Sequence, residues 1–470
     1  MTSRWRSRPR LSRRTVLELL GGAAAVAAVG GAYWLGGRER EDEWEDLGGR
    51  PLRLLASRDE TANGQRRLLV DQWNAWHPGH PAEMVELPPI ADLQYTAIHA
   101  ALQAEDPDVD VVDLDVPWVA EFAVAGRLEP LDGADTGGFL ERPLEAGRFE
   151  GELYALPFNT NVGMLYYRKR TDSKSDSDYR SGALTEMEAA SIRTWQDLRD
   201  TIAVILQEDN GFAGGIAMQL ASYEGFTVNV WEFLLANQVE VAAGTGMIDF
   251  GPRSDALGLL ERLWSDLWEP VAPGKSTVLP AAVQHNEDES LAAFQAGLTP
   301  FLRHWPQAIR TLESCEAFAA VAADVPFEVG VVPMPGGVLG GGSLAVSAYS
   351  ERKTVSRALI EFLTGPVSQQ LLFERGGFAA ARPEPYFDAM AQLGSGVADG
   401  GCESAGGPRQ EAAAMYEALT GEGPGQRPEV DRYTQFSYAF RDELHDKLAN
   451  GDAPDFSGLA DRLERAVDGR

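Results

Sequence analysis

The sequence DVDVVDLDVPW occupies residues 108–118, and its apolar part, Val109–Leu114, predicts a buried strand. Two further strands are predicted upstream, at Leu52–Ala56 and Glu83–Leu87, and a helical pattern follows each of them. Strand, helix, strand, helix and strand in this order indicate an α/β unit with a mostly parallel sheet. Asp115 then falls at the carboxyl end of the third strand, which is the edge where ligands bind in such sheets.

The composition is that of a soluble globular protein. The chain has 470 residues, of which 44% are hydrophobic and 24% charged, enough for two or three domain-sized units. Disorder throughout and multi-span membrane topology are both excluded. The formal net charge of −30 argues against nucleic acid as a partner, because a phosphate backbone requires a basic surface.

The N-terminal segment has the order of an export signal. Arg13 and Arg14 precede a mostly apolar stretch at Leu19–Leu35, as in twin-arginine signals. The apolar stretch is just long enough to span a bilayer, so cleavage and retention as an anchor both remain open. Residues 1–36 are therefore predicted as a twin-arginine signal or an N-terminal membrane anchor, and the charged residues 37–51 as a linker. The expected location is extracellular or at the cell surface.

The usual catalytic motifs are missing from the sequence. The six histidines do not show the two-His helical spacing of zinc proteases. A phosphate loop ending in Lys275 is ruled out because Glu269 stands where its first glycine belongs. Gly341–Ala345 lacks the final glycine of a nucleophile elbow. No catalytic residue, metal ligand or cofactor is therefore predicted, although 71 acidic residues leave room for a pair of carboxylates.

Polar planar side chains and aromatic rings occur at predicted strand ends and loop tips, the combination that binds sugar hydroxyls and sugar faces. Eight segments carry a likeness to a known family in the same order along the chain: Asp108–Trp118, Gly126–Leu131, Leu153–Pro157, Gly163–Arg168, Tyr223–Gly225, Arg303–Pro306, Leu339–Gly341 and Ala358–Gly377. The chain resembles the extracellular solute-binding proteins of carbohydrate ABC importers, and among them the trehalose/maltose-binding subgroup.

The resemblance implies an α/β, two-lobed periplasmic-binding-protein-like fold (type II) with a hinge between the lobes. The N-terminal lobe is expected to comprise residues 52–161 plus 301–347. The C-terminal lobe is expected to comprise residues 162–300 plus 348–470.

The resemblance also implies a set of ligand-binding residues: Glu60, Asp115, Asn159, Asn161, Glu224, Trp305, Gly340, Gly341 and Arg382. The more ordinary roles of these residue types remain open, namely helix starts for Asp115 and Glu224, turn chemistry for the asparagines, core packing for Trp305, and surface ion pairs for Glu60 and Arg382.

One departure from the family concerns the expected binding residues. Relatives can have an aromatic residue just after the glycine pair, whereas this chain has Gly342.

The expected function is that of the substrate-binding component of an ABC importer. It would be a monomer that binds a disaccharide or short oligosaccharide, of trehalose or maltose type, and presents it to the permease membrane subunits without chemistry. The alternatives are a secreted carbohydrate-active enzyme and a sugar-sensing module that is not coupled to transport. Cys315 and Cys402 could form a disulfide outside the cell or remain two separate thiols.

Overall fold

The computed structural model describes residues 43–59, 64–169, 183–207, 211–242, 245–251, 254–312, 328–394, 411–421, 425–450 and 454–469. The predictions for residues 1–36, Glu60, Cys315 and Cys402 lie outside these ranges. They stay predictions.

The first sheet has three parallel strands at its start, as the sequence predicted. Its middle strand, Leu52–Ala56, pairs in parallel with Ala82–Glu86 and with Val111–Asp115. A late segment, Leu339–Ser347, runs antiparallel to Val111–Asp115 and pairs on its other side with Ala155–Val162. The short strand Leu128–Glu129 also pairs with this late segment. The first sheet is therefore completed by a strand, Leu339–Ser347, that is distant in sequence from the others.

The second sheet has four strands, and Met164–Lys169 is central in it. This strand runs antiparallel to Glu328–Pro333 on one side and to Phe301–His304 on the other. Ile216–Ala217 pairs in parallel with the outer edge of Phe301–His304. Two minor hairpins complete the strands, formed by Arg148–Phe149 with Glu152–Leu153, and by Pro270–Ala272 with Lys275–Ser276.

Strand pairing corrects the grouping of residues 301–347 that the sequence analysis expected. Phe301–His304 and Glu328–Pro333 lie in the second sheet, and only Leu339–Ser347 returns to the first. The helix Lys353–Leu363 was expected in the C-terminal lobe, but its Val355, Leu359 and Leu363 share a buried core with strands of the first sheet. The chain passes back from the second sheet to the first near residue 338. The helix therefore follows the first-sheet strand Leu339–Ser347 and packs against that sheet.

Helices cover both sheets. They are Gln65–Trp76, Ala91–Gln103, Trp118–Val124, Glu141–Glu145, Glu186–Ala190, Trp195–Gln207, Glu224–Ala236, Ala256–Trp268, Glu287–Gln295, Ala308–Leu312, Lys353–Leu363, Pro366–Leu371, Glu384–Gly394, Glu411–Thr420, Tyr433–Ala449 and Leu459–Asp468, with a 3₁₀ turn at Pro280–Gln284 and a π-helical turn at Leu372–Gly376. Within the described ranges, none of these helices has the length and apolar character needed to span a membrane.

Three chain segments meet where the polypeptide passes between the sheets. The Gly163 amide donates to the Val338 carbonyl over 3.3 Å, and the Met334 amide donates to the Gly163 carbonyl over 3.2 Å. The Leu339 amide donates to the carbonyl of Gly425 over 2.9 Å, so a C-terminal segment joins the same junction. We call this meeting point of residues 162–164, 334–339 and 425 the crossing.

Candidate functional site

Two of the predicted binding residues meet through a cation that the sequence analysis did not single out. Asp115 ends a strand of the first sheet, and Glu224 begins the helix Glu224–Ala236 beside the second sheet. Arg427 donates from Nη1 to Asp115 Oδ2 over 2.7 Å and from Nη2 to Asp115 Oδ1 over 2.6 Å. Its Nη1 also donates to Glu224 Oε1 over 3.0 Å. We call the first sheet with its covering helices the first unit, and the second sheet with its covering helices the second unit. One guanidinium therefore joins carboxylates from the two units.

Glu224 is buried, and polar donors surround its carboxylate. Ser437 Oγ donates to Oε2 over 2.6 Å, and the Tyr433 hydroxyl donates to Oε1. Burial raises the pKa of Glu224, while Arg427 and the two hydroxyls act in the opposite direction. Tyr433 and Ser437 are four residues apart in the helix Tyr433–Ala449, so they lie on the same helix face. This helix thus completes the environment of a residue that lies far away in sequence.

The same C-terminal helix contacts the first unit directly. Arg441 pairs with Asp92 of the helix Ala91–Gln103, with N–O distances of 2.7 and 2.9 Å. Thr434 donates to Glu121 Oε2 from its hydroxyl over 2.7 Å. The carboxylates of Asp92, Asp115 and Glu121 all belong to the first unit, and groups from the C-terminal region hold each of them.

Trp305 lies against the first sheet although it directly follows Phe301–His304, a strand of the second. A Cβ added at Gly340 would lie 3.2 Å from Cη2 and Cζ3 of the indole, so the ring packs directly on the glycine backbone. The indole Nε1 donates to Glu287 Oε1 over 3.3 Å, and the Arg303 guanidinium lies 4.0 Å from the ring centroid. The side chain is half-buried, so it is not a residue of the closed core.

Asn161 lies beside the same contact. It pairs in register with Gly340, and its Cβ is 3.7 Å from the position that a Gly340 Cβ would occupy. Its buried Oδ1 accepts no hydrogen bond from the described residues. Gly341 has a φ of +112°, and a Cβ there would lie 2.4 Å from the Asn159 carbonyl oxygen, so this backbone path requires glycine. Asn161, Gly340 and Trp305 are therefore one cluster.

Asn159 has a different environment. It is buried, and Arg66 Nη2 donates to its Oδ1. Arg66 also donates from Nη1 to Ser57 Oγ over 2.7 Å and to Asp113 Oδ2 over 3.4 Å. The amide oxygen that was expected to face a ligand thus contributes to a buried polar cluster of the first unit.

Gly342 has a local reason to lack a side chain. A Cβ at this position would lie 2.1 Å from Asp113 Oδ1. Asp113 is buried and held by Arg66 and Ser57, so it cannot easily move aside. Burial raises the pKa of Asp113, and Arg66 opposes this effect. The aromatic residue that relatives can carry here would collide with this cluster.

Arg382 contacts other parts of the first unit. Its Nε donates to the Thr364 carbonyl over 3.1 Å, and its Nη1 donates to the Gly137 carbonyl over 2.8 Å. The guanidinium lies 3.8 Å from the centroid of the Phe139 ring. These contacts involve no other predicted binding residue, and they connect a loop to the end of a helix.

The strand Leu339–Ser347 connects the two halves of the candidate site. Its Gly342 pairs in register with Asp115, and its Gly340 supports Trp305. Two residues along a strand span about 7 Å, so the Asp115 and Trp305 neighbourhoods lie along one short backbone stretch. Carboxylates, an amide oxygen with free hydrogen-bonding capacity and an indole are groups that can hold a hydroxylated solute.

Sequence reasoning missed Arg427, Tyr433, Ser437 and Arg441. Arg427 lies between Gln426 and Pro428 in no recognisable motif. The spacing of Tyr433, Ser437 and Arg441 at four-residue intervals was a usable signal, because it places three polar side chains on one helix face.

A separate cavity of about 410 Å³ lies between the helices Ala91–Gln103 and Trp118–Val124 and the start of Tyr433–Ala449. Its lining includes Tyr95, His99 and Arg127, and none of the predicted binding residues. Within the described ranges, no three His, Cys, Asp or Glu side chains are grouped so as to hold a metal ion.

Comparison with known proteins identifies the family. A family model for bacterial extracellular solute-binding proteins matches residues 72–392, and the chain belongs to this family. Its members are solute-binding proteins rather than enzymes. A probable ABC transporter-binding protein of Deinococcus radiodurans is 26% identical over 318 residues, which cover 64% of this chain and 69% of that protein.

Solved structures agree on the fold. Maltose-bound MalE3 of T. maritima has a TM-score of 0.66 at 22% identity, covering 89% of this chain and 98% of that one. UgpB of Mycobacterium tuberculosis, in complex with glycerophosphocholine, has a TM-score of 0.67 at 17% identity, covering 90% and 99%. A solute-binding protein of Thermotoga lettingae bound with α-D-tagatose has a TM-score of 0.66 at 19% identity, covering 90% and 98%. The predicted two-lobed, periplasmic-binding-protein-like α/β fold is confirmed.

Proposed function

We propose that this protein is the substrate-binding component of an ABC importer for a sugar or polyol. The observation that carries the proposal is the strand Leu339–Ser347, which brings the Asp115 carboxylate and the Trp305 indole to one stretch of backbone. A carboxylate makes strong hydrogen bonds to hydroxyl groups, and an indole covers the apolar face of a sugar ring. The fold relatives named above carry maltose, tagatose and glycerophosphocholine, all of which are hydroxylated.

Within this proposal, Asp115, Glu224 and Arg427 act together. The guanidinium holds both carboxylates in place, and Asp115, whose side chain is 21% exposed, keeps hydrogen-bonding capacity for a ligand hydroxyl. Asn161 supplies an amide oxygen that accepts no hydrogen bond from the described residues, and Trp305 supplies the stacking surface. Asn159 accepts a hydrogen bond from Arg66, and Arg382 donates to the carbonyls of Thr364 and Gly137, so a supporting role within the first unit is proposed for both. Gly340 and Gly341 let the strand approach closely.

A disaccharide or short oligosaccharide of trehalose or maltose type is the proposed ligand class. The maltose-bound fold relative supports this choice. Closure of the two lobes on the sugar presents it to the permease subunits, and the protein acts as a monomer. Export by the twin-arginine route, with the N-terminal segment as signal or anchor, is part of the same proposal.

A thermal-shift and calorimetry panel tests the proposal. The panel comprises trehalose, maltose, tagatose, mannitol and glycerophosphocholine. A ligand that binds only the folded state at about 100 times its Kd stabilises the fold by ~2.7 kcal/mol, so its Tm shift is readily measured. A response to a disaccharide supports the proposed ligand class, whereas no response to any member contradicts the proposal. Release of monosaccharide during incubation would instead favour a carbohydrate-active enzyme.

A further inference from the structure

A fully buried ion pair lies next to the crossing. Glu232 and Arg303 both have side-chain exposures of 0%. Arg303 donates from Nε to Glu232 Oε2 and from Nη2 to Glu232 Oε1, both over 2.7 Å, and from Nη1 to Gln219 Oε1 over 3.1 Å. Burying two charges costs desolvation energy that their attraction often only offsets. Such a pair therefore contributes little net stability. Its contacts with the neighbouring backbone and with Trp305 indicate a different role.

The Glu232 end of the pair contacts both strands of the crossing. The Val338 amide donates to Glu232 Oε1 over 3.1 Å. A Cβ at Gly163 would lie 2.2 Å from the same oxygen, so the carboxylate packs against the glycine backbone. A Cβ at Gly336 would lie 2.3 Å from the Glu232 carbonyl oxygen. One residue thus contacts the outgoing and the returning strand at the point where each leaves its sheet.

The Arg303 end of the pair contacts the proposed stacking residue. Its guanidinium lies 4.0 Å from the centroid of the Trp305 ring, at a distance typical of a cation–π contact. Arg303 itself is held in the second sheet opposite Leu165. The Arg303 guanidinium thus packs on the indole from one side, and the edge of the indole contacts Gly340 of the first sheet.

We propose that Glu232 and Arg303 form a positioning pair that sets the orientation of Trp305 from the crossing. A two-point ion pair has little freedom to rotate, so a change in backbone direction at Gly163 or Val338 moves the guanidinium and the indole with it. The sugar-binding part of this inference rests on the proposed function, whereas the placement of Trp305 does not.

Two double substitutions separate the two ends of the pair. Glu232→Gln with Arg303→Met removes both charges but keeps a carbonyl acceptor for the Val338 amide. Glu232→Leu with Arg303→Met removes that acceptor as well. Replacing a buried ion pair by uncharged groups of similar volume is often neutral for stability, so the first variant is expected to fold. The control is Asp110→Asn with Arg352→Met, because that pair is also buried, with side-chain exposures of 0% and 5%, but contacts neither the crossing nor Trp305.

The readouts do not depend on knowing the ligand. The protein is labelled with 5-fluorotryptophan, and its ¹⁹F signal from Trp305 is assigned with Trp305→Phe; hydrogen exchange reports the Val338 amide. We expect both double variants to shift or broaden the Trp305 signal, and only the leucine variant to accelerate Val338 exchange. The control should change neither. An unchanged Trp305 signal in the folded glutamine variant overturns the inference, even if the leucine variant fails to fold.

Sugar affinity provides the link to function. For a ligand that the wild-type protein binds, both double variants should bind at least about tenfold more weakly, while the control keeps its affinity. Equal affinity in all three variants would overturn the functional part of the inference. If the wild-type protein binds no member of the panel, the proposed function fails, and the fluorine signal still decides whether the pair positions Trp305.

Discussion

Arg427 and Asp115 face each other in a two-point pairing, with Nη1–Oδ2 and Nη2–Oδ1 distances of 2.7 and 2.6 Å. The arginine side chain is 2% exposed and the aspartate 21%. Because Nη1 also reaches Glu224, the guanidinium separates two carboxylates that would otherwise repel each other. The integrity of the candidate site therefore depends on one residue of the C-terminal region.

Arg427→Met should destabilise the protein by about 3 kcal/mol, because it leaves carboxylates without their buried counter-charge. Urea unfolding measures the loss. The control is Arg193→Met, which breaks the pair between Arg193 and Glu417, whose side chains are 62% and 51% exposed. An exposed pair of this kind contributes at most about 1 kcal/mol. Equal losses in the two variants would contradict the role given to Arg427.

Glu224 should make the stability depend on pH. Its folded-state pKa is raised by burial above the ordinary value of 4.5, so the folded protein takes up this proton at a higher pH than the unfolded chain. The stability from this group is fully present below the unfolded pKa and is lost as pH rises through the raised folded pKa.

The comparison with Glu224→Gln isolates this effect. As the pH falls from neutral towards 4.5, the stability of the wild-type protein should rise relative to that of the variant. Parallel melting curves of both proteins across this range measure the difference. A difference that is constant, or that moves in the opposite direction, would refute the raised pKa.

Gly342→Ala should destabilise the protein by about 2 kcal/mol, because the new methyl group would overlap Asp113, which Arg66 and Ser57 hold in place. The matched control is Gly258→Ala in the helix Ala256–Trp268, where a Cβ would meet nothing within 4 Å. That change should stabilise the helix by about 0.5–1 kcal/mol. Chemical denaturation of both variants checks the opposite signs, and a neutral result for Gly342→Ala would count against the collision.

Trp305→Ala should weaken sugar binding by about 1–3 kcal/mol, because the ligand loses a large apolar surface. Titration calorimetry with the sugar identified by the panel measures the change. Trp264→Ala is the control, since Trp264 is also half-buried but its indole donates to the Asn450 carbonyl in a different part of the second unit. Unaltered affinity in Trp305→Ala would show that the indole does not contribute to sugar binding.

Added salt should stabilise the protein. The net charge of −30 makes the folded state repel itself. The screening length falls from ~10 Å at about 0.1 M salt to ~3 Å at about 1 M, so the Tm should rise over this range of NaCl. Sucrose at matched osmolarity is the control, because it is excluded from the protein surface but does not screen charges. A Tm that falls or stays level with NaCl would show that surface repulsion does not limit stability.

Local patterns in the sequence predicted most of the helices and strands. Leu52–Ala56 has the predicted bounds, and the observed strand Ala82–Glu86 begins and ends one residue before the predicted Glu83–Leu87. Burial periodicity is set by neighbours along the chain, so it is readable without a structure. The partner of a strand is not readable in this way. Phe301–His304 carried no sign that it pairs with Met164–Lys169 rather than with the first sheet.

The candidate site was predictable in part. Asp115 and Glu224 stand at element ends, and the structure brings them together, whereas Arg427 acquires its role only when distant segments fold against them. Asn159 and Asn161 alternate on one strand, but the nearby Arg66 engages only the first. Alternation fixes the side of a strand that a residue faces, and the neighbouring side chains decide what it contacts there.

The late strand Leu339–Ser347 has a consequence for biosynthesis. As the chain leaves the ribosome, Val111–Asp115 and Ala155–Val162 emerge long before the segment that pairs with both of them. During that interval the nascent chain presents open backbone edges, which invite intermolecular association. Cellular chaperones that shield such edges should therefore raise the yield of this protein.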